Sequence, residues 1–301
     1  MQEPNDDYEK ALRSFHEGEY NTAHIHLKNA IKQSPSHLSS KLLLGKVLLK
    51  NKQSNTAIQQ LTEVLKLGVD KNLAYTALAE AYMMQRNYAK VTSMAINELN
   101  RSNTYQLLII QGNAWQHQQD NEQALKKFNQ ALEIKPNEKK ILEKMALFYI
   151  HQNKFNKANE FIDKINNLHP DDSSVLYLQA QILIRQKQHK KALPLLEQAN
   201  KLKPNAPLLG RSLAQTYVTL NQTSDARSII DPLLINTPDD PYLMLLNARL
   251  HSMSKQNDLA KAAYDQLAQQ LSIISPEILT ELPELLYVSG LANYILESYA
   301  I

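Results

Sequence analysis

The sequence predicts an all-α fold, a right-handed α-solenoid of about eight helix-turn-helix units followed by a C-terminal helix, on three observations. Prolines at 136, 170, 204 and 238 recur every 34 residues, and so do Ala124, Ala158, Ala192, Ala226 and Ala260. Each period holds two apolar stripes of helical spacing. Only 6 glycines occur among 301 residues, against many Ala, Leu, Gln, Asn and Lys, a composition that favours helix over sheet. A fixed period of this length is the signature of a stacked repeat, in which each helix pair buries its apolar face only against its neighbours.

Within a unit the first helix carries a small residue where two helices approach closely: Gly45, Ala79, Gly112, Ala146, Ala180, Ala214 and Ala248. Three residues on, a large side chain (Tyr82, Trp115, Tyr149 or Tyr217) fills the space beside it. The second helix sets two alanines around one bulky residue, as Ala124 and Ala131 flank Phe128; Leu27, Leu61, Ile162, Leu196, Ile230 and Tyr264 hold the same place. Between units, LHPDDSS and NTPDDPY put proline just past a helix end and acids where they cap the next helix. Asp240 is the expected N-cap and Pro241 the first helical residue. The units read 4–37, 38–71, 72–104, 105–138, 139–172, 173–206, 207–240 and 241–274. A deletion near 99–104 shifts the phase of the third, where Val91 and Glu98 replace alanines, and the eighth lacks its proline.

Small residue at position 8, aromatic at 11, Ala at 20 and 27, a bulky residue at 24 and Pro at 32 make this unit resemble the tetratricopeptide repeat, over residues 4–274. The resemblance implies a concave surface lined by first helices, at positions 2, 5, 9, 12 and 13, that binds an extended peptide or partner segment. In the first three units those positions hold Tyr8, Leu12, Phe15, Leu42, Leu49, Met83 and Met84, either an apolar lining or a set packed within the array. In units six to eight they hold Tyr177, Gln181, Arg185, Arg211, Gln215, Tyr242 and Arg249, which suit a partner with an acidic end or are simply solvated. Replacing the three arginines is expected to weaken capture and leave the melting temperature unchanged. The lysine and asparagine pattern of chaperone-tail receptors is missing, since Ile109 and Asn113, then Glu143 and Leu147, stand at the clamp positions.

Enzymatic signatures fail on spacing. The glycines never cluster into a phosphate-cradling loop, no GxSxG elbow occurs, and HEGEY has Tyr20 where a second zinc ligand belongs. His117 and His151 share one repeat position, followed by Arg185 in the next, so neighbouring first helices would show them roughly 10 Å apart. No third ligand accompanies them, and they read as structural or ligand-facing imidazoles. No catalytic residue, cofactor or metal is therefore expected. Cysteine is absent, which excludes disulfides and thiolate sites. A net charge of +3 is too small for a nucleic-acid or anionic-membrane binder, and no apolar run approaches a membrane span.

Near the N-terminus LKNAIKQSP, LLLGKVLL and LKLG look like the opening repeats of the tetratricopeptide lipoproteins associated with bacterial PEP-CTERM/exosortase sorting systems. That resemblance implies an extracytoplasmic lipoprotein of exopolysaccharide export or protein sorting, with a signal segment and lipidated cysteine ahead of Met1. The alternative is a cytoplasmic peptide-binding adaptor. Residues 275–301 read as a phase-shifted linker and a partial ninth unit whose helix is apolar on nearly every side, from Leu285 to Ile301. Such a helix implies a longer repeat protein, or a homodimer through residues 285–301.

Overall fold

A computed structural model describes residues 4–204, 206–272 and 290. The expected terminal helix and the dimer surface at 285–301 lie outside the described residues. Sixteen helices and no strand are found among the described residues. They divide into two compact units, 1–141 and 142–301, with the boundary inside one helix. In the first unit the pairs are α1 (Pro4–His16) with α2 (Tyr20–Gln33), α3 (Leu38–Lys50) with α4 (Ser54–Lys66), α5 (Lys71–Met84) with α6 (Tyr88–Thr92), and α7 (Arg101–His117) with α8 (Asn121–Ile134). Helix α9 (Lys139–His151) carries the boundary. The second unit continues with α10 (Phe155–Leu168), then pairs α11 (Ser173–Arg185) with α12 (His189–Leu202), α13 (Pro207–Thr219) with α14 (Thr223–Asn236), and α15 (Pro241–Met253) with α16 (Asn257–Ser272). The expected all-α architecture of consecutive helix-turn-helix pairs is what the chain adopts.

The small and bulky positions explain the pairing. A Cβ at Gly112 would lie 2.3 Å from Phe128 Cε1, and one at Gly45 would lie 2.7 Å from Leu61 Cδ2, so in these two pairs the bulky residue of the second helix sits on the bare backbone of the first. Ala124, Phe128 and Ala131 are wholly buried, as are Ala192, Leu196 and Ala199 on α12, two repeats later in the sequence. Burying a residue of Phe or Leu size contributes about 1.5–3 kcal/mol, so the knob is a substantial part of what holds each pair that has one.

One feature gave no sequence signal. Every first helix ends on a residue at positive φ: Gly18, then Lys52, Arg86, Gln119, Asn153, Lys187, Asn221 and Lys255, all at φ between 55° and 63° after the glycine. The next amide reaches back to close the helix, as Gln53 N does to Leu48 O at 2.9 Å and Gln188 N to Leu183 O at 2.8 Å. This left-handed closure satisfies carbonyls the helix end would leave bare. Glycine is its usual occupant, yet only Gly18 is one here, and Lys, Arg, Gln or Asn stands at the other seven.

The caps between units match the sequence reading. Asp172 accepts from Ser174 N, and Asp240 accepts from both Tyr242 N and Leu243 N with Pro241 in the first turn. Most of the apolar N-terminal positions pack inward, whereas Met83 is half-buried and Met84 is 45% exposed. Leu49 is 7% exposed inside the core of α1–α4, and Tyr8, Leu12 and Phe15 pack against that core. Leu42 is drawn into the neighbouring cluster with Leu61 and Leu78.

Candidate functional site

In the second unit α11, α13 and α15 bring several of the inward positions together. Helix α13 packs on α15, and α11, α13 and α15 share one core in which Leu213, Leu246 and Leu250 are buried and Tyr177 and Ile184 half-buried. Above that core lies a hollow of about 260 Å³, lined by Gln181, Ile184, His189, Arg211, Ser212, Gln215, Thr216, Tyr242 and Leu246. Four residues singled out in the sequence, Gln181, Arg211, Gln215 and Tyr242, therefore line one hollow. Tyr177 stands beside it, half-buried. Burial pushes its phenol pKa up, partly offset by a hydrogen bond with Ser212 and the Arg211 charge.

The polar groups are arranged in two sets. Gln181 Nε2 donates to Ser212 Oγ at 3.0 Å, linking α11 to α13. Arg211 pairs through Nη2 with Asp240 Oδ2, and its guanidinium carbon lies 5.1 Å from the centre of the Tyr242 ring. Asp240 thus caps α15 with one oxygen and holds Arg211 with the other. Arg211 was expected to be expendable for stability. The structure corrects this: it is a partly buried tie between α13 and the start of α15, and its loss would leave the 12% exposed Asp240 carboxylate without its counter-charge.

The remaining candidates are dispersed. Arg185 is exposed at the end of α11, Arg249 is half-buried on α15, and neither lines the hollow. His151 is exposed at the end of α9. In the first unit His117 stacks on Tyr88, with centroids 4.9 Å apart and planes 2° from parallel, and Met83 is half-buried near the end of α5. Sequence reasoning missed Ser212, Thr216 and His189. It followed five positions of the first helix, whereas Ser212 and Thr216 fall between those positions and His189 opens a second helix.

Among the described residues no group of three or more His, Asp or Glu side chains could hold a metal ion. No described helix is long and apolar enough to cross a membrane. What the arrangement offers is a polar surface of amides, hydroxyls and one internally paired arginine.

Residues 117–182 and 183–250 match the family model of the tetratricopeptide repeat. The match covers less than half of the chain, and the tetratricopeptide fold it points to generally mediates protein–protein interaction. Among solved structures, a tetratricopeptide repeat protein from Parabacteroides merdae is similar at 14% identity and a TM-score of 0.50, covering 96% of this chain and 98% of its own. A chain of the APC/C hetero-tetramer Cut9-Hcn1 is similar at 13% identity and a TM-score of 0.56, over 92% of this chain and 55% of that one. Likeness at this level of identity concerns the fold alone. No curated protein matches the chain.

Proposed function

We propose that the chain is a non-enzymatic protein-interaction scaffold that holds an extended peptide or partner segment along α11, α13 and α15. The observation that carries this reading is the convergence of Gln181, Arg211, Gln215 and Tyr242 on one hollow above a rigid apolar core. Polar side chains on packed helices are already oriented, so a partner orders few of them on binding. Extended segments are recognised in this way, by side chains that fix register and pockets that read alternate residues.

The reading is tested with a displayed random-peptide library. A photo-crosslinking residue is placed at Gln215 in one protein and at Lys261, exposed on α16, in another. Selected peptides should label the first and spare the second. Arg185→Ala with Gln215→Ala should weaken them about tenfold, or 1.4 kcal/mol, with no change in melting temperature because both side chains are exposed. Peptides that label both proteins equally and ignore the double variant would remove the groove reading.

An envelope setting, within an exopolysaccharide-export or protein-sorting system of the PEP-CTERM type, is proposed on the strength of LKNAIKQSP, LLLGKVLL and LKLG. The alternative is a general cytoplasmic adaptor. Sequence encoded upstream of Met1 separates them: a hydrophobic segment ending in a lipidated cysteine supports the envelope, and its lack supports the cytoplasm.

A further inference from the structure

The turn from α11 to α12 gathers cations without counter-charge. Arg185, Lys187, His189, Lys190 and Lys191 stand within one short stretch that holds no acid. The arginine and the three lysines are exposed, and none has an ion-pair partner among the described residues. The second helices that follow in this unit begin differently: α14 carries Asp225 in its first turn and α16 carries Asp258. Helix α12 carries one acid along its length, Glu197, which accepts from the Tyr217 hydroxyl at 2.8 Å.

The concave side adds no acid either. Helices α11, α13 and α15 contain no aspartate or glutamate, but they do contain Arg185, Arg211 and Arg249. Only Arg211 of these is neutralised, by Asp240 at the start of α15. Like charges held together repel one another, and an anion among them relieves that repulsion and is drawn to them.

The basic turn is continuous with the hollow. His189 belongs to both, since it opens α12 in the middle of the cationic run and lines the hollow with Gln181 and Gln215. Ile184, next to Arg185 in the chain, also lines it. We infer that the segment held along α11, α13 and α15, on the scaffold reading above, is acidic: it leaves the hollow past His189 and sets aspartates or glutamates among Arg185, Lys187, Lys190 and Lys191. Nucleic acid fits this surface less well, because it calls for a long basic stripe, whereas the cations here end at the Asp225 and Asp258 turns.

The probe is a hexaglutamate peptide blocked at both ends, with hexaglutamine as its neutral counterpart, titrated into the full chain and followed by backbone amide NMR. Hexaglutamate should shift the resonances of 185–191 and compete with the library peptides for labelling at Gln215; hexaglutamine should do neither. Raising sodium chloride from about 50 to about 300 mM should weaken hexaglutamate about fivefold, as the screening length shortens. Lys187→Gln, Lys190→Gln and Lys191→Gln together should weaken it about tenfold with an unchanged melting temperature, because exposed charges add little to stability. Glutamine suits the left-handed position at 187, as Gln119 occupies the same one in an earlier pair. Removing the same charge elsewhere, at the exposed Lys50, Lys66 and Lys126, should change nothing. Equal loss in both triple variants would reduce the effect to net charge and overturn the inference. So would tighter binding of a thymidine oligonucleotide or of phosphatidylglycerol vesicles at 185–191, or hexaglutamate binding there without competing at Gln215. If library peptides label Gln215 yet carry no acids and ignore the lysine variant, the acidic-partner inference falls and the scaffold stands. Library peptides that label no groove position count against the scaffold itself.

Discussion

In the pair α7/α8 a 14-residue second helix seats Phe128 against Gly112 between two buried alanines. In the preceding pair α5/α6 the second helix stops after five residues, and Val91 is its only buried side chain. The chain from 93 to 100 then runs without an α-helix to the start of α7. What replaces the lost helix is polar. Gln111, 1% exposed, donates from Nε2 to Val91 O at 3.1 Å and Met94 O at 2.8 Å, carbonyls of the shortened turn. Asn72 Oδ1 accepts from Asn100 N at 2.8 Å and Asn103 Nδ2 at 3.1 Å, and Lys71 pairs with Glu98. A repeat that loses its apolar knob keeps its place when side-chain amides satisfy the freed backbone.

The comparison predicts that the two pairs are sensitive at different kinds of residue, one apolar and one polar. Gly112→Ala drives a methyl into the Phe128 ring and should lower stability by about 1–3 kcal/mol, read from the urea midpoint. Adding Phe128→Leu should restore part of the loss, since Leu196 and Ala180 are both fully buried in the pair α11/α12. A neutral Gly112→Ala would mean that the knob does not hold the pair. Gln111→Leu introduces a residue of the kind found at the matching place in α13, where Leu213 is buried. Here it should still cost about 1–3 kcal/mol, because two carbonyls lose their donor. Amide exchange should rise between 93 and 100 and stay unchanged in α8. Unaltered exchange there would show that the segment is held by its surroundings and not by Gln111.

The fold class was legible because the knob, the small residue and the inter-unit proline are side-chain signals repeated at one period. The break in the third pair was half legible. Val91 and Glu98 announced a departure, but nothing near them pointed to Gln111, whose partner carbonyls lie 17 and 20 residues earlier. The hollow was legible in part for a similar reason. A helical period placed Gln181, Arg211, Gln215 and Tyr242 on one side, yet it carried no information that Arg211 would be consumed by Asp240 or that His189 would arrive from a second helix. Pairings across elements depend on packing distance, and a periodic pattern records only direction.

The left-handed helix ends were invisible because five of the eight are Lys, Arg or Gln, residues that carry no turn signal. For such residues the αL conformation costs roughly 1–2 kcal/mol relative to helix. It is retained because the 6→1 bond and the entry into the next helix both depend on it. Lys52→Gly and Lys187→Gly should therefore each raise stability, by about 0.5–1 kcal/mol once the greater freedom of glycine in the unfolded chain is subtracted. Asn153→Gly and Asn221→Gly should give less, since asparagine tolerates αL. The third pair sharpens the point. Arg86, at φ 56°, ends α5 just before the shortened α6, where the bond from Asn87 N to Tyr82 O at 2.9 Å secures the turn and Asn87 also caps α6 through Lys90 N. With so little helix after it, this turn contributes more of the local order than its counterparts. Arg86→Gly should consequently raise the midpoint by as much as Lys52→Gly and, unlike it, also slow amide exchange across 88–100. A gain at Lys52 with none at Arg86 would show that the third pair is positioned by Gln111 and the asparagines alone.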